Sequence, residues 1–537
     1  MALNIFENKN MNIHQHLHPL DFGVVVLYLL LLVGIGAYIS FRQKKSCERD
    51  YFLAGGSLRW YSIGLTMWGT NVGPSMLIAS CAVGYTTGIV AGNFSWYAFI
   101  FIGLLALVFA PHYKNTGVST LPEFMGQRFN ATTREMLAWY SLVTILISWL
   151  GLTLYAGGLL VSQIMAWPLW ASVSALMLLA TFFAVAGGLE AIAITNVFQM
   201  ILLIVASSVL VIAGLNKLGG IDRLLTELPA DYGRLFLPAD NPDYPWVAII
   251  LGYPVLGIWF WCTDQSMVQS VLGAKNLEQG QLGTNLTGWL KIIDVPLFIL
   301  PGMIAYLLYP TLADPNEAYM TLVTDLLPVG MVGLIMAVLI AALVSTIDSA
   351  LNSLSTVFTM DIYARRFRPD APPQRLVVVG RTVVVAGAVG AILIALGLDQ
   401  IKGMDLFSLF QAILGYLAPP MAAVFLLGVT WKRMTTPAAN IGLVVGSVVS
   451  LAVGVMQLRN WPDPAFWPHF LLVSFFLFAF IMLLMVVVSL ATPSDKKSDF
   501  PTLTQSYAAL NYVPSRRVLW LWGALSVFMF SLYFIFN

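Results

Sequence analysis

Charge is scarce in this chain. Only 10% of its 537 residues are Asp, Glu, Lys or Arg, against roughly 25% in soluble domains. Hydrophobic residues make up 59% and mean hydropathy is +0.82, so a water-facing globule is excluded. The 27 basic and 26 acidic residues leave a net charge of +1, too little for a nucleic-acid-binding face. Cysteine is almost absent: Cys47, Cys81 and Cys262 show neither pairing nor metal-ligand spacing. Of five histidines, His14, His16 and His18 sit in a polar leading segment, His112 in an expected loop and His469 near an interface. They make no catalytic or metal constellation with the few buried acids, and the alternating trio suits a solvated tail. No phosphate-cradling Walker sequence is present, which excludes ATP as the driving force. No cleavable signal segment is expected either, because Met1 to Pro19 leads straight into a full-length apolar run. The reading is of a non-enzyme.

Long apolar runs are what the chain has in excess. Runs of roughly 18 residues or more fall at 21–41, 58–83, 86–111, 135–165, 167–187, 191–217, 246–272, 281–309, 326–361, 376–399, 404–428, 436–458, 467–491 and 517–536. This predicts an all-α polytopic membrane protein with about fourteen transmembrane helices. Basic residues fix the direction. Arg42, Lys44, Lys45, Arg49 and Arg59 follow the first run, and Lys114, Arg128 and Arg134 the third. Arg365, Arg366, Arg368 and Arg375 follow the ninth, Lys432 and Arg433 the eleventh, and Lys496, Lys497, Arg516 and Arg517 the thirteenth. All fall on one side, which is therefore cytoplasmic. The opposite connections are acidic, with Asp222, Glu227, Asp231, Asp240 and Asp243 in one and Asp314, Glu317 and Asp325 in another.

The most unusual run continues from Val329 to Tyr363. It is apolar enough to lie in lipid yet carries Ser345, Thr346, Asp348, Ser349, Asn352, Ser353 and Thr356. Ser345, Ser349, Asn352 and Thr356 recur at helical spacing, so one side is a ladder of oxygens. Two readings fit. Serine and threonine glue membrane helices together, and hydroxyl and carbonyl oxygens at membrane depth also suit a hard cation such as sodium.

Two other runs contain helix breakers. One holds Gly69-Thr-Asn-Val-Gly-Pro-Ser75, where Pro74 lacks a backbone donor. The other holds Gly252-Tyr-Pro254 and Gly257, ahead of the polar group Cys262, Thr263, Asp264 and Gln265. The plainer reading is a pair of proline kinks. Their offset of five helices, however, makes the two run in opposite directions, as an inverted repeat requires. Paired interrupted helices in corresponding positions point to a transporter site at the bilayer midplane. Oxygen-lined ion sites also occur in channels, but paired breaks favour alternating access.

Several stretches carry a family resemblance: Asp50-Tyr-Phe-Leu-Ala-Gly-Gly-Ser-Leu-Arg-Trp60, Thr120-Leu-Pro-Glu-Phe-Met-Gly-Gln-Arg-Phe129, and Gly187-Gly-Leu-Glu-Ala191 with Thr195-Asn-Val-Phe-Gln199. Val271-Leu-Gly-Ala-Lys275, Ser355-Thr-Val-Phe-Thr-Met-Asp-Ile-Tyr363 and Ala423-Val-Phe-Leu-Leu-Gly-Val-Thr-Trp-Lys432 continue it. In order and spacing, over roughly residues 21 to 460, the chain resembles the sodium:solute symporter family, and within it the sodium/glucose cotransporter branch.

The resemblance implies a LeuT-like core of five plus five inverted helices. It divides the chain into a polar extracellular segment (1–20), a first helix with its cytoplasmic loop (21–57), two repeats (58–217 and 246–428) and three peripheral helices (429–537). It implies a sodium site built from the carbonyls of Gly69, Val72 and Ala342 and the hydroxyls of Ser345 and Thr346. Asp348 departs from the family's usual small residue; it either adds negative charge near the ion or pairs with a basic group. Asn196 replaces an aspartate that lines a second cation site in part of the family, which argues for one coupled sodium. The sugar-holding positions map onto Asn71, Ser75, Met76, Ser95, Ala98, Gly257, Lys291 and Gln411, of which Asn71, Lys291 and Gln411 keep the family's residue type. Ser75 and Ser95 stand where the branch has carboxylates, Met76 where it has a glutamine and Ala98 where it has a serine. Phe260 stands where an inner gating tyrosine is expected.

The buried charges allow two assignments. Lys291 and Asp294, three apart on one helix, either neutralise each other or leave Lys291 to meet the substrate. Asp264 is expected to be solvated, and most of the aromatic residues, 13% of the chain, to line lipid or the interface. The expectation is a sodium-coupled symporter of the plasma (inner) membrane that imports a small polar solute, a sugar or polyol, by alternating access. Its alternative is the same machinery carrying an organic or amino-acid-like anion on Lys291. The partners are sodium, the solute and the lipid bilayer.

Overall fold

The computed structural model describes residues 18–42, 48–312, 314–399, 406–459, 461–493 and 513–537. His14, His16, Cys47, Lys44, Lys45, Lys496 and Lys497, and almost all of segment 1–20, lie outside the described residues. Among the described residues the chain is helical, with only two isolated bridges, Leu58 to Ala274 and Leu237 to Pro245.

Among the described residues, eleven helices are long and apolar enough to cross a membrane, and two shorter apolar helices, Pro19–Ile35 and Leu169–Val185, accompany them. The protein is a multi-pass membrane protein. The count differs from the fourteen or so spans expected partly because helical backbone continues round a corner. The expected spans 58–83 and 86–111 merge in Met76–Thr116, joined through the tight helical turn Gly88–Ala91. Gly88 makes the corner possible: its φ is +77°, and a Cβ there would lie 2.4 Å from Tyr232 Cα. The same continuity places His112 inside a helix, buried with Nδ1 2.7 Å from Val108 O, and not in a loop.

The helices that position the site are labelled in chain order: α1 Pro19–Arg42, α2 Trp60–Asn71, α3 Pro74–Thr87, α4 residues 92–116, α5 Ala131–Ser162 and α6 Leu169–Leu218. They continue with α7 Trp246–Leu272, α8 Leu277–Leu308, α9 Met331–Phe367 and α10 Pro373–Leu398, α11 Leu406–Thr430, α12 Thr436–Leu458, α13 Phe470–Ala491 and α14 Arg516–Ile535. The centre is α9, whose apolar window is 89% buried; for α14 the figure is 22%. A buried helix surrounded by other helices can carry polar residues that lipid would not tolerate. α9 packs along α6, and α2 lies against α8.

The break between α2 and α3 falls where the sequence places it. Val72 leaves helical geometry at φ −88° and ψ 79°, Gly73 is extended, and Pro74 opens α3. Pro74 has no N–H to give to the carbonyl of Thr70, so the last turn of α2 keeps acceptors that its own backbone does not use. The break in α7 is displaced from expectation. Pro254 lies inside regular helix, a wide π turn over Ile258–Thr263 follows, and the chain turns extended only at Asp264 (ψ 128°). The π stretch takes up the mismatch that proline introduces. The expected gap between spans 167–187 and 191–217 is a sharp corner at Gly188, φ +54°.

Candidate ion and solute site

The oxygen ladder divides into two halves. Toward the C-terminal end of α9 it is interhelical glue: Ser355 Oγ donates to Gly380 O (2.8 Å), Ser353 Oγ to Gln269 Oε1 (2.7 Å), and Thr356 Oγ1 accepts from Gln269 Nε2 (2.8 Å). Around Ser345 the pattern changes. Ser345 Oγ donates to Asn196 Oδ1 on α6 at 2.6 Å, and Thr346 Oγ1 to its own helix at Ala342 O, 3.2 Å away. Each hydroxyl thus uses its single proton and keeps lone pairs free. Close by in sequence, Asp348 Oδ2, both side-chain polar atoms of Asn352, and Asn196 Nδ2 and Gln199 Oε1 on α6 are buried without a hydrogen-bond partner among the described residues. An orphaned buried polar group costs about 1–3 kcal/mol, and such a concentration of them fits a site for an ion or water.

The broken end of α2 is tied to this stretch of α9. Thr70 Oγ1 donates to Ser349 Oγ at 3.2 Å, and Ser349 Oγ lies 3.5 Å from Asp348 Oδ1. Gly69 and Val72 are buried at that end of α2, and Ala342, Ser345 and Thr346 are buried on α9. Close approach of α2 to α6 explains the glycine: a Cβ on Gly69 would lie 2.9 Å from Met200 Sδ. Asp348 is 1% exposed and touches Ser349. No basic partner for it occurs among the described residues.

Beside the break lies a pocket of about 510 Å³, part of it open to solvent, lined by Asn71 and Met76 from the broken helix and by Gly257 and Phe260 from α7. Gly257 is required there, since a Cβ would sit 2.3 Å from the Phe101 ring. Lys291 and Ser95 reach the same region through hydrogen bonds. Lys291 Nζ donates to Asn71 Oδ1 at 2.7 Å and pairs with Asp294 Oδ2, to which Ser95 Oγ also donates at 2.8 Å. Ala98 is buried in α4 and is not on the pocket wall. The side chains of Ser75 and Gln411 lie outside the described residues.

Much of the wall is aromatic: Phe94, Tyr253, Trp259, Phe260 and Trp261. These five fall outside the majority of aromatic residues expected at lipid and interface. Composition cannot separate a pocket tryptophan from a lipid-facing one, but the run Trp259-Phe-Trp261 beside a break was a usable signal. Asp264 is likewise not solvated. It is 2% exposed, caps the helical turns after the break by accepting from Ser266 N (2.8 Å), and receives Trp149 Nε1 (3.1 Å). Arg128 and Arg134, read as cytoplasmic loop charges, are buried as well. Arg134 pairs with Asp361 and Glu123, and Arg128 Nε donates to Gly428 O.

Comparison with known proteins agrees with this geometry. The description of the sodium:solute symporter family matches residues 51–446. The sodium/glucose cotransporter 4 of Danio rerio is 32% identical over 533 residues, covering 91% of this chain and 81% of that protein. The Homo sapiens sodium/myo-inositol cotransporter is 31% identical over 538 residues, covering 90% of this chain and 75% of its own length. A solved Na+-coupled sialic acid symporter in a substrate-bound outward-open state superposes with a TM-score of 0.78 at 20% identity, over 89% of this chain and 99% of that one. MHP1, a nucleobase-cation-symport-1 family transporter, gives 0.53 at 15% identity over 87% and 99%. These two likenesses show a shared LeuT-like fold. With the match covering most of its length, the chain belongs to the sodium:solute symporter family.

Proposed function

We propose that the protein couples sodium entry to the import of a neutral, hydroxyl-rich solute, a sugar or polyol, across the plasma membrane. The observation that carries the reading is the neutralised lysine. Lys291, the cation among the described residues that could hold an anionic cargo here, is paired with Asp294 and bonded to Asn71. What remains for the cargo is a set of hydrogen-bonding groups beside aromatic faces, which suits a ring bearing hydroxyls. The names of the two curated relatives, a glucose and a myo-inositol cotransporter, support the same class. The organic-anion alternative has no free cation on the described pocket wall to rest on.

Sodium would sit between the end of α2 and α9, held by the carbonyls of Gly69, Val72 and Ala342 and the hydroxyls of Ser345 and Thr346. Hard oxygen ligands of this kind match a hard cation. Asp348 is buried without a basic partner among the described residues, and a cation bound close to it would favour its charged form. Asn71 ends α2 and also lines the pocket, so an ion that stiffens the break favours the geometry in which solute binds; this is coupling in the thermodynamic sense. Phe260, whose ring lies 5.1 Å from that of Trp149 at a tilt of 42°, lines one side of the pocket and is assigned as the inner gate. One sodium moving down about 100 mV contributes about 2.3 kcal/mol. A tenfold gradient adds roughly 1.4 kcal/mol, and together these set a ceiling of several hundred-fold accumulation.

The test is a thermal-stabilisation screen of the purified protein against hexoses, inositols, linear polyols and organic acids, in sodium and in potassium. A neutral polyhydroxylated compound should stabilise in sodium and much less in potassium. Stabilisation by acids alone, or equally in both salts, would overturn the reading.

A further inference from the structure

Lys291 and Asp294 do more than neutralise one another along α8. Asp294 Oδ1 accepts from Trp68 Nε1 at 2.8 Å, and its Oδ2 accepts from Ser95 Oγ at 2.8 Å as well as from Lys291. Trp68 lies in the last turn of α2, just ahead of the break, and Ser95 lies on α4. Lys291 in turn reaches Asn71 Oδ1 at 2.7 Å and stands 5.8 Å from the Trp261 ring; both residues are pocket walls. The carboxylate is 2% exposed and both of its oxygens are occupied. Its negative charge therefore stays fixed beside the pocket, with α2, α4 and α8 all holding it in place. The described pocket wall itself contains no Asp, Glu, Lys or Arg.

We infer that Asp294 sets the charge class of the cargo. By cancelling Lys291 it makes the pocket neutral, so that an uncharged solute is accepted and a carboxylate is rejected. A carboxylate approaching Lys291 meets a like charge already bound to the same ammonium, and like-charge juxtaposition is a strong means of excluding a wrong ligand. The inference rests on the solute-site reading above and refines it. A merely structural pair would hold the helices together without affecting which solute binds, and substitution can separate the two roles. In Asp294→Asn the amide is nearly isosteric and still accepts from Trp68 or Ser95, while the charge is gone.

The experiment uses solutes of one shape and different charge: glucose, glucuronate and glucosamine. Half-saturating concentrations are read by thermal stabilisation and by sodium-dependent uptake in proteoliposomes. Wild type should prefer glucose. Asp294→Asn should shift the glucuronate-to-glucose preference by at least about tenfold toward the acid, and the gain should vanish in the double variant Lys291→Gln/Asp294→Asn. The reciprocal variant Lys291→Gln leaves the carboxylate unopposed and should shift preference toward glucosamine by a similar factor, a test that stands even if Asp294→Asn does not fold. Unchanged charge preference in the folded single variants, or a glucuronate gain that survives in the double variant, overturns the assignment of Asp294 while leaving the solute site intact. If no member of the panel acts on wild type or variants, the solute-site reading fails and the inference with it.

Discussion

Ser345 donates its only proton to Asn196 at 2.6 Å, and Thr346 donates its own to Ala342. A hydroxyl arranged in this way presents lone pairs to whatever lies on its other side, which is what a cation needs. The variant Ser345→Ala/Thr346→Ala should therefore raise the sodium concentration for half-maximal uptake by about tenfold or more, since each buried ligand is worth on the order of 1–3 kcal/mol. Sodium titration of uptake checks this; an unchanged titration in a folded double variant would remove the site. Asn196 is the residue proposed to bear on the stoichiometry. As an uncharged neighbour of Ser345 it supports one coupled ion, so the Hill coefficient for sodium should be close to one, and Asn196→Asp should increase sodium affinity or add a second ion. A wild-type coefficient near two, with two charges moved per solute, would contradict the single-ion account. At this scale the sequence was legible where chemistry is unusual for its setting: hydroxyls and a carboxylate in an apolar run, a lysine in a span, an asparagine at a break. It was not legible where residues are ordinary for a membrane protein. Trp68 looks in composition like any lipid-facing tryptophan, and only packing shows it buried and bonded to Asp294.

Among the elements, breaks and corners decide the architecture. Proline announced the α2–α3 break because its missing donor and fixed φ act within one turn. The α7 break was misplaced because Pro254 is tolerated by the wide turn at Ile258–Thr263, and the actual interruption at Asp264 depends on capping and on Trp149 from α5. The capping is local, reaching Ser266 two residues on, but the Trp149 contact is not local in sequence. Gly188 is the sharpest corner. Its φ of +54° disfavours any side chain, and a Cβ would lie 2.5 Å from the backbone oxygen of Tyr51. Gly188→Ala should accordingly destabilise the protein by about 1–3 kcal/mol or more, read as a lowered unfolding temperature in detergent. An unfolding temperature equal to wild type would show that the corner is not under that constraint.

Over the whole molecule, the distribution of charge was the most readable property. Few charges gave the membrane class, and their placement on alternate connections set the expected direction of the helices. What the pattern could not give is that some of those charges are internal ties. Arg134 bridges to Asp361 at 2.6 Å, fastening α5 to the end of α9, and Arg128 Nε donates to Gly428 O at 3.1 Å, fastening a connecting helix to α11. Such ties join distant segments on one face of the bundle, and a motion that opens that face must break or move them. The central claim remains that downhill sodium drives solute uphill. Proteoliposomes loaded with potassium and diluted into sodium, with an inside-negative potential, should accumulate the solute found in the stabilisation screen above its outside concentration. The accumulation should collapse when sodium is equal on both sides and the potential is zero. Uptake that only equilibrates, that proceeds equally in potassium, or that is replaced by sodium flux without solute would contradict the account.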